Sequence, residues 1–247
     1  MVIDHGQATD AGPRSENQDR CAASPRWAVV SDGMGGHAGG SVAADLTCRA
    51  AIDELQAAEG VRAGTVIARA YAAANDAVRT ARDADPAVAD MGATLTVALA
   101  VSVEPGRSRW LVGSLGDSPA WWVGTVGARQ VTSDHTVAAA MARSGTLDAD
   151  QAADHPGRHL LMRAIGIADT AEPDLVTVDL GPGDSLVLAS DGVSGVLDPA
   201  GIADVLAGAG DAAAMARGLV VASLDAGTSD NVTAVVLRHP DPSAHAE

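Results

Sequence analysis

Residues 27–40 read WAVVSDGMGGHAGG. The first five form a short apolar run that stops at Asp32-Gly33. Such a run, bounded by glycine, predicts a buried strand feeding a tight loop. Five of the nine residues from Asp32 to Gly40 are glycine, which holds a backbone close to something. The loop matches neither standard phosphate-binding pattern: no Lys-Ser/Thr follows it and no GxGxxG spacing opens it. The same grammar returns at 185–192, SLVLASDG, another apolar run ending in Ser-Asp-Gly.

Working outward, residues 41–58 and 63–83 have helical spacing, with Ser41 in the cap region of the first. Both helices would pack on one face of a sheet. Strand signals lie at 94–103, 109–115, 119–124, 174–180, 185–190 and 232–238, with Gly181-Pro182-Gly183-Asp184 as a strong turn. Residues 134–143, 148–154, 199–207 and 211–224 read as helices. Strands in close succession, then helices, then strands predict an α+β fold rather than alternating βαβ. No low-complexity linker interrupts the chain, so one domain is expected over 1–240. The tail from His239 is polar and is expected to fray, with 241–247 outside the domain.

Composition narrows the function classes. The chain has 247 residues, 47% hydrophobic and 19% charged, which suits a globular domain. Sixteen Lys plus Arg against 32 Asp plus Glu give a net charge of −16. That balance argues against nucleic acid or an anionic membrane as partner, and it favours cations. Phe is absent and aromatics total 2%, so a core of Ala, Val, Leu and Ile is expected. Cys21 and Cys48 are too few for a disulfide framework and lack a zinc pattern, which predicts reduced thiols in a cytoplasmic protein. Met1 to Asp10 holds no basic region followed by an apolar one, and no run of about 18 apolar residues occurs. Neither a signal peptide nor a membrane helix is expected.

The chemistry centres on carboxylates. Asp32 and Asp191 each end a buried strand and precede glycine. Asp230 precedes a strand within Gly227-Thr228-Ser229-Asp230-Asn231, and Asp117 lies between strands in Gly116-Asp117-Ser118. One Asp-Gly alone marks a turn. Two that end matched strands, with Asp-Asn before a third, point to convergence on one sheet edge. Gathered carboxylates repel unless cations neutralise them, and oxygen ligands favour Mg²⁺ or Mn²⁺. Glycine after Asp32 lets the Gly33 carbonyl approach such an ion. His37 lies in the same loop, and its pKa suits proton transfer near neutrality. Arg14 has the fork geometry for phosphate, although alone it would read as a solvated surface residue.

Taken together these segments resemble the bacterial form of the metal-dependent type 2C (PPM) Ser/Thr protein phosphatases. The likeness runs through Arg14 with Asn17-Gln18-Asp19, the Asp32–Gly40 loop, Met91-Gly92-Ala93-Thr94, Gly116-Asp117-Ser118 and Thr132-Ser133-Asp134-His135-Thr136. It continues through His155-Pro156 to Arg163-Ala164-Ile165-Gly166, Ser190-Asp191-Gly192 and Ser229-Asp230-Asn231. It implies a four-layer α-β-β-α sandwich of two mainly antiparallel sheets flanked by helices. It also implies two tightly held Mn²⁺ or Mg²⁺ ions, with a third held more loosely. Asp32 would bridge the pair; the Gly33 carbonyl, Asp191 and Asp230 would complete it, and Asp117 would serve the third ion. Arg14 would grip phosphate, His37 would be the general acid, and Asp19, Gln18 and Asn231 would support the ligands. Residues from about 137 to 163 would form a flap, with His159 a candidate substrate contact. The implied reaction is hydrolysis of phosphoserine or phosphothreonine by direct attack of a metal-bridging hydroxide. Its partners would be phosphorylated proteins, Ser/Thr kinases or their substrates among them.

Three positions depart from the family pattern: Ala93 for a common Thr, Pro119 for a common Arg, and Gln18 where many members have an acid. They bear on metal affinity and specificity, because no expected carboxylate ligand is missing. A thiol-based phosphatase is excluded: six residues after Cys21 and Cys48 stand Trp27 and Glu54, not Arg. A serine hydrolase built on Ser118 has its motif mid-chain, and Asp241 and His245 lack the required spacing. The alternative from another class is a regulatory module of the same fold that acts by binding a partner.

Overall fold

The structure, a computed structural model, describes residues 2–35 and 39–241. The expected sandwich is present. One sheet runs in the order β1 (Asp4–Asp10), β11 (Val232–Arg238), β10 (Ser185–Ala189), β7 (Ala120–Gly124), β8 (Gly127–Gln130). The other runs β2 (Asp19–Ser24), β3 (Trp27–Met34), β5 (Leu95–Glu104), β6 (Arg107–Leu115), β9 (Asp174–Leu180), with the short β4 (Gly92–Ala93) beside the end of β3. Every pairing between named strands is antiparallel. Helices α1 (Gly39–Gln56) and α2 (Ala63–Ala84) cover the second sheet, and α6 (Pro199–Ala207) and α7 (Ala212–Asp225) cover the first. Short helices α3 (Val137–Arg143), α4 (Ala149–Ala153) and α5 (Asp191–Ser194) lie at the rim of the cleft described below.

The period of two along a strand builds the layers. Val187 and Ala189 of β10 face α6 and α7, while Leu186 and Leu188 enter the space between the sheets. In β5, Leu95, Val97 and Leu99 face the α1–α2 side and Ala98 and Ala100 face inward. Each central strand is thus apolar on both faces, which is why it reads as an unbroken apolar run. Helix α2 buries Val66, Ile67, Ala70, Tyr71, Ala74 and Val78 at spacings of three and four. Asp198 and Asp211 accept hydrogen bonds from the backbone N–H groups of Gly201 and Ala214, caps that stabilise each helix by roughly 1 kcal/mol. The aliphatic core that composition suggested is incomplete. Trp110 and Tyr71 are the two largest fully buried side chains, and Trp110 fills space between alanine-lined sheets.

Several expectations need correction. β1, β2 and β8 carry no strand signal of their own. DHGQATD, DRCAAS and GARQ carry few large apolar residues, and all three are edge strands. Ser41 lies inside α1, not at its cap. The helix expected from 134 begins at Val137, because Thr136 takes an extended conformation and its hydroxyl accepts from Ala139 N–H. Asp134 and His135 therefore sit in a loop. A short helix not foreseen starts at Asp191.

His239 does not fray. It is fully buried, and its backbone N–H donates to Asp184 at 2.9 Å. Its Nδ1 lies 3.2 Å from Ser108 Oγ, which also accepts from Trp110 Nε1 at 3.0 Å. Of the expected tail, 242–247 lie outside the described residues. Burial lowers the His239 pKa below its ordinary 6.5, so the imidazole folds neutral. Protonation favours the unfolded chain, and the stabilising contribution is full above the unfolded pKa and lost as pH falls. Lowering the pH from about 7.5 to about 5 should reduce the denaturation midpoint more in wild type than in His239→Asn. Equal losses, measured by urea unfolding at both pH values, would remove this residue as a source of acid sensitivity.

Candidate metal centre

One rim of the sandwich gathers the acids. Asp32 stands near the end of β3, directly across the ladder from Asp19 of β2. Asp191 opens α5 straight after β10, and Asp230 precedes β11 in the other sheet. Asp117 lies where the chain crosses from β6 in one sheet to β7 in the other. Asp32, Gly33, Asp117, Asp191 and Asp230 line one cleft of about 990 Å³, together with Arg14 and His159. The sequence-derived ligand set therefore converges on one cleft.

Hydroxyls fix this rim. Asp32 N–H donates to Thr94 Oγ1 at 2.9 Å, and Thr94 N–H donates to the Asp32 carbonyl at 2.8 Å. Thr94 Oγ1 lies 2.7 Å from Ser118 Oγ, and Thr96 Oγ1 donates to the Ser118 carbonyl at 2.6 Å. Ser190 Oγ donates to Asp19 Oδ2 at 2.7 Å and accepts from Thr233 N–H at 3.0 Å, which joins the two sheets. Glycine permits the close approach: a Cβ on Gly33 would stand 1.9 Å from the Gly40 carbonyl oxygen, and one on Gly192 equally close to that of Asn231. The Asp-Gly pairs are close-packing points and not turns: Asp32-Gly33 lies inside β3 and Asp191-Gly192 opens α5.

Gln18 and Asn231 are hydrogen-bonded to each other beside Gly33. The Gln18 N–H donates to Asn231 Oδ1 at 2.8 Å, and the Gln18 carbonyl accepts from Gly33 N–H at 3.1 Å. Asn231 Nδ2 donates to the carbonyls of Ala11 and Glu16, both at 2.8 Å. Arg14 is bonded to the segment that carries Asp230. Its NH2 donates to Asp230 Oδ2 at 2.8 Å and its Nε to the Ser229 carbonyl at 2.9 Å. His159 Nδ1 lies 3.4 Å from Asp191 Oδ2. His37 lies outside the described residues. Ala93 and Pro119 are buried, and Ala93 exchanges backbone hydrogen bonds with Ile165.

The carboxylates disfavour one another's ionisation. Burial, then Asp19, Asp191, Asp117 and Asp230 in that order, holds Asp32 well above the usual carboxylate range. Burial and Asp191 push Asp117 up to about 8, and burial raises Asp19 to about 6 against the hydrogen bond from Ser190. Asp191 is raised by burial and by Asp230, while His159 opposes this. Asp19 Oδ1 and Asp191 Oδ1 are buried with no hydrogen-bond partner among the described residues. An all-oxygen donor set with orphaned carboxylate atoms fits hard divalent cations.

Two neighbours of the site escaped the sequence reading as helix residues. Asp134, raised to about 6 chiefly by burial, accepts from Gln130 Nε2 at 2.7 Å and faces Asp117 across a smaller cavity. His135 clamps Gly116: its Nδ1 accepts from Gly116 N–H at 3.0 Å, and its own N–H donates to the Gly116 carbonyl at 2.9 Å. Its Nε2 lies 3.1 Å from Asp174 Oδ2, and Arg163 donates to Asp174 Oδ1 at 2.7 Å. The His135 carbonyl accepts from Met162 N–H at 2.8 Å. The histidine thus ties both the segment returning at 160–163 and strand β9 to the backbone beside Asp117. Its place in Thr132-Ser133-Asp134-His135-Thr136 was the available signal.

A sandwich with acids from both sheets at one rim has the donor chemistry for hard cations, and comparison with known proteins gives its family. The family model described as Protein phosphatase 2C matches residues 12–221. The chain belongs to the protein phosphatase 2C family. It is 32% identical over 240 residues to the serine/threonine protein phosphatase PstP of Mycobacterium tuberculosis, 96% of this chain but 45% of that protein. The chain thus spans less than half the length of that relative. Among solved structures, it resembles the PPM Ser-Thr phosphatase MsPP of Mycobacterium smegmatis in complex with cacodylate, with 36% identity and a TM-score of 0.83. That likeness covers 96% of this chain and 98% of the other. The catalytic domain of PstP in complex with two manganese ions is similar at 30% identity and a TM-score of 0.85, over 97% and 99% of the two chains.

Replacing His135 with Ala should raise amide hydrogen exchange at Gly116–Ser118 and at 160–163 and lower stability by about 1–3 kcal/mol. Unchanged protection at 116–118 would show that the clamp does not hold the Asp117 loop.

Proposed function

We propose that this chain is a metal-dependent Ser/Thr protein phosphatase that hydrolyses phosphoserine and phosphothreonine in proteins. The observation that carries the reading is the convergence of Asp32, Asp117, Asp191 and Asp230 from both sheets on one cleft, in a chain of this family. Asp32, the Gly33 carbonyl, Asp191 and Asp230 would hold a pair of Mn²⁺ or Mg²⁺ ions, and Asp117 would serve a third. Bound there, the ions would supply Lewis acidity and a lowered water pKa for in-line attack at phosphorus. The relative solved with two manganese ions supports the pair.

The chain's own residues divide the remaining work. Asp19, opposite Asp32 and bonded to Ser190, orients the rim, with Gln18 and Asn231 fixing the backbone around Gly33. Arg14 sits at the cleft against Asp230. Asp230 would hold a cation in place of the guanidinium, and the Arg14 fork would then be available to phosphate. His37 donates the proton that a serine or threonine alkoxide needs on leaving. Residues from about 137 to 163 form the flap of a single catalytic domain over 1–240. The substrates are phosphorylated proteins, including Ser/Thr kinases or their targets. Among the described residues, no helix is long and apolar enough to cross a membrane. The unpaired thiols of Cys21 and Cys48 suit the cytoplasm.

Purified protein with Mn²⁺ should dephosphorylate phosphothreonine peptides, and a chelator should stop it. Asp32→Asn and Asp191→Asn should each lose at least about a hundredfold in activity, while Arg14→Ala should raise KM more than it lowers kcat. Wild-type rates in Asp32→Asn would defeat the metal mechanism. A metal-loaded wild type inert towards every phosphopeptide would favour a partner-binding regulatory module instead.

His37→Ala separates proton donation from binding. Alkyl phosphoesters should lose about 10²–10⁴ in rate, and aryl esters, whose leaving groups need no proton, far less. Equal losses on both substrates would remove His37 as the acid.

A further inference from the structure

We propose that an apolar groove beside the acid cleft seats one aliphatic side chain of an extended phosphoprotein segment, with a cationic side chain of the same segment against Glu172. The inference rests on the phosphatase reading above and names the substrate class that the site selects. The groove encloses about 390 Å³. Its base is the buried pair Leu115 and Ala164, and Met162 and Ile167 form its walls. Met162, Arg163, Ala164 and Ile167 line both the groove and the acid cleft, so the two are continuous. A segment that enters the cleft with its phosphate can lay a neighbouring residue in the groove.

Exposed apolar side chains gather along this edge. Leu160, Met162 and Ile167 are 62%, 59% and 52% exposed, and all three line the cleft. Single exposed apolar residues are ordinary, whereas several together at a cleft mark a surface that meets apolar matter. The wall is also held in place. Asn75, buried in α2, accepts from Gly166 N–H at 2.8 Å through Oδ1. Its Nδ2 donates to the carbonyls of Ala168 at 3.1 Å and Asp169 at 3.3 Å. Arg82 of the same helix donates to the Gly166 carbonyl. Ile167 is thus carried on a loop pinned on both sides of it, which lowers the ordering cost of binding.

Charge gives the occupant its second feature. Arg163 and Glu172 are the ionisable residues that line the groove. Arg163 is spent, because it donates to Asp174 Oδ1 at 2.7 Å and to the Glu172 carbonyl. The Glu172 carboxylate is exposed and has no hydrogen-bond or ion-pair partner among the described residues. The uncommitted charge is therefore negative, in a chain of net charge −16. A segment with Lys or Arg beside its aliphatic residue complements the groove, and an acidic segment is repelled. None of the rim acids lines the groove, so its occupancy acts on KM rather than on kcat.

The test uses the full chain with Mn²⁺ and phosphothreonine peptides of Ala and Ser. One Leu is moved outward, position by position, on both sides of the phosphoresidue. One position should raise kcat/KM by about tenfold over the parent peptide, through KM. Lys next to that Leu should add about two- to fivefold. Ile167→Ser and Met162→Ser should each abolish the Leu preference, and Glu172→Gln the Lys preference, with p-nitrophenyl phosphate hydrolysis unchanged in all three. A flat Leu scan overturns the inference, as does a Leu preference that survives in both serine variants. A Lys effect untouched by Glu172→Gln overturns the role of that carboxylate. A flat scan in a dimer that Ile167→Ser dissociates assigns the groove to a second copy and overturns the inference as well. These failures leave the phosphatase reading standing, because aryl phosphate turnover reads it separately. Loss of that turnover in metal-loaded wild type brings down both.

Discussion

Crowded negative charge at one sheet rim is the constraint on which the structure turns. Asp19 and Asp32 face each other across an antiparallel ladder, where like charges destabilise. Asp117, Asp191 and Asp230 add to the same field and raise the cost of ionising their neighbours. Left to itself, a chain would splay these groups apart. What prevents it is a frame in which no member can relax alone. Asp32 is held by Thr94 through two hydrogen bonds, Thr94 meets Ser118, and Ser190 links Asp19 to Thr233 in the opposite sheet. The repulsion is stored, and cations are what it is shaped to attract.

The frame depends on smallness as much as on polarity. The space between the sheets is walled by Ala28, Ala98, Ala100 and Ala120 and filled by Trp110, so the two sheets that carry the acids lie against one core. Gly33 and Gly192 let carbonyls of Gly40 and Asn231 come within reach of their Cα atoms. A methyl at either place would collide with backbone and push an acid-bearing segment off the rim. Packing and chemistry therefore impose the same residue at the same position. At both places the Asp-Gly pair, a common turn dipeptide in sequence, serves close packing inside a regular element.

This double duty also decides what was legible in the sequence. The central strands showed as continuous apolar runs because both faces are buried, and the acids stood out because each interrupts such a run. β1 and β2 were silent: an edge strand with Gly6 and Ala8, or with Cys21 and Ala22, owes its existence to its partner's register rather than to its own pattern. His135 was hidden for a different reason. The apolar spacing after Thr136 is helical, and nothing local shows that Thr136 caps that helix and leaves His135 outside it. The hydroxyls of Thr94, Ser118 and Ser190 are common residue types whose role exists only across 24 or more positions of chain. Arg14 by itself reads as a solvated surface residue, and only the fold brings its guanidinium against Asp230, 216 positions away in the chain.

The two walls of the cleft are held by unequal means. The sheet rim is fixed by ladders and buried hydroxyls, which open only when much of the sandwich opens. The opposite wall, from Val137 to Arg163, consists of two short helices and turns. It is fastened to the body through the Thr136–Leu161 bridge, the His135 carbonyl and the Arg163–Asp174 pair. Asp174 is 54% exposed, so that pair is partly screened and contributes little by itself. The buried His135 ring is therefore the firmer anchor, and it grips Gly116, one residue before Asp117. Asp117 consequently sits at the junction of the two walls, next to the backbone that His135 grips and with its carboxylate in the cleft. Of the acids at the rim, Asp117 is the one whose backbone lies beside the His135 anchor of that wall.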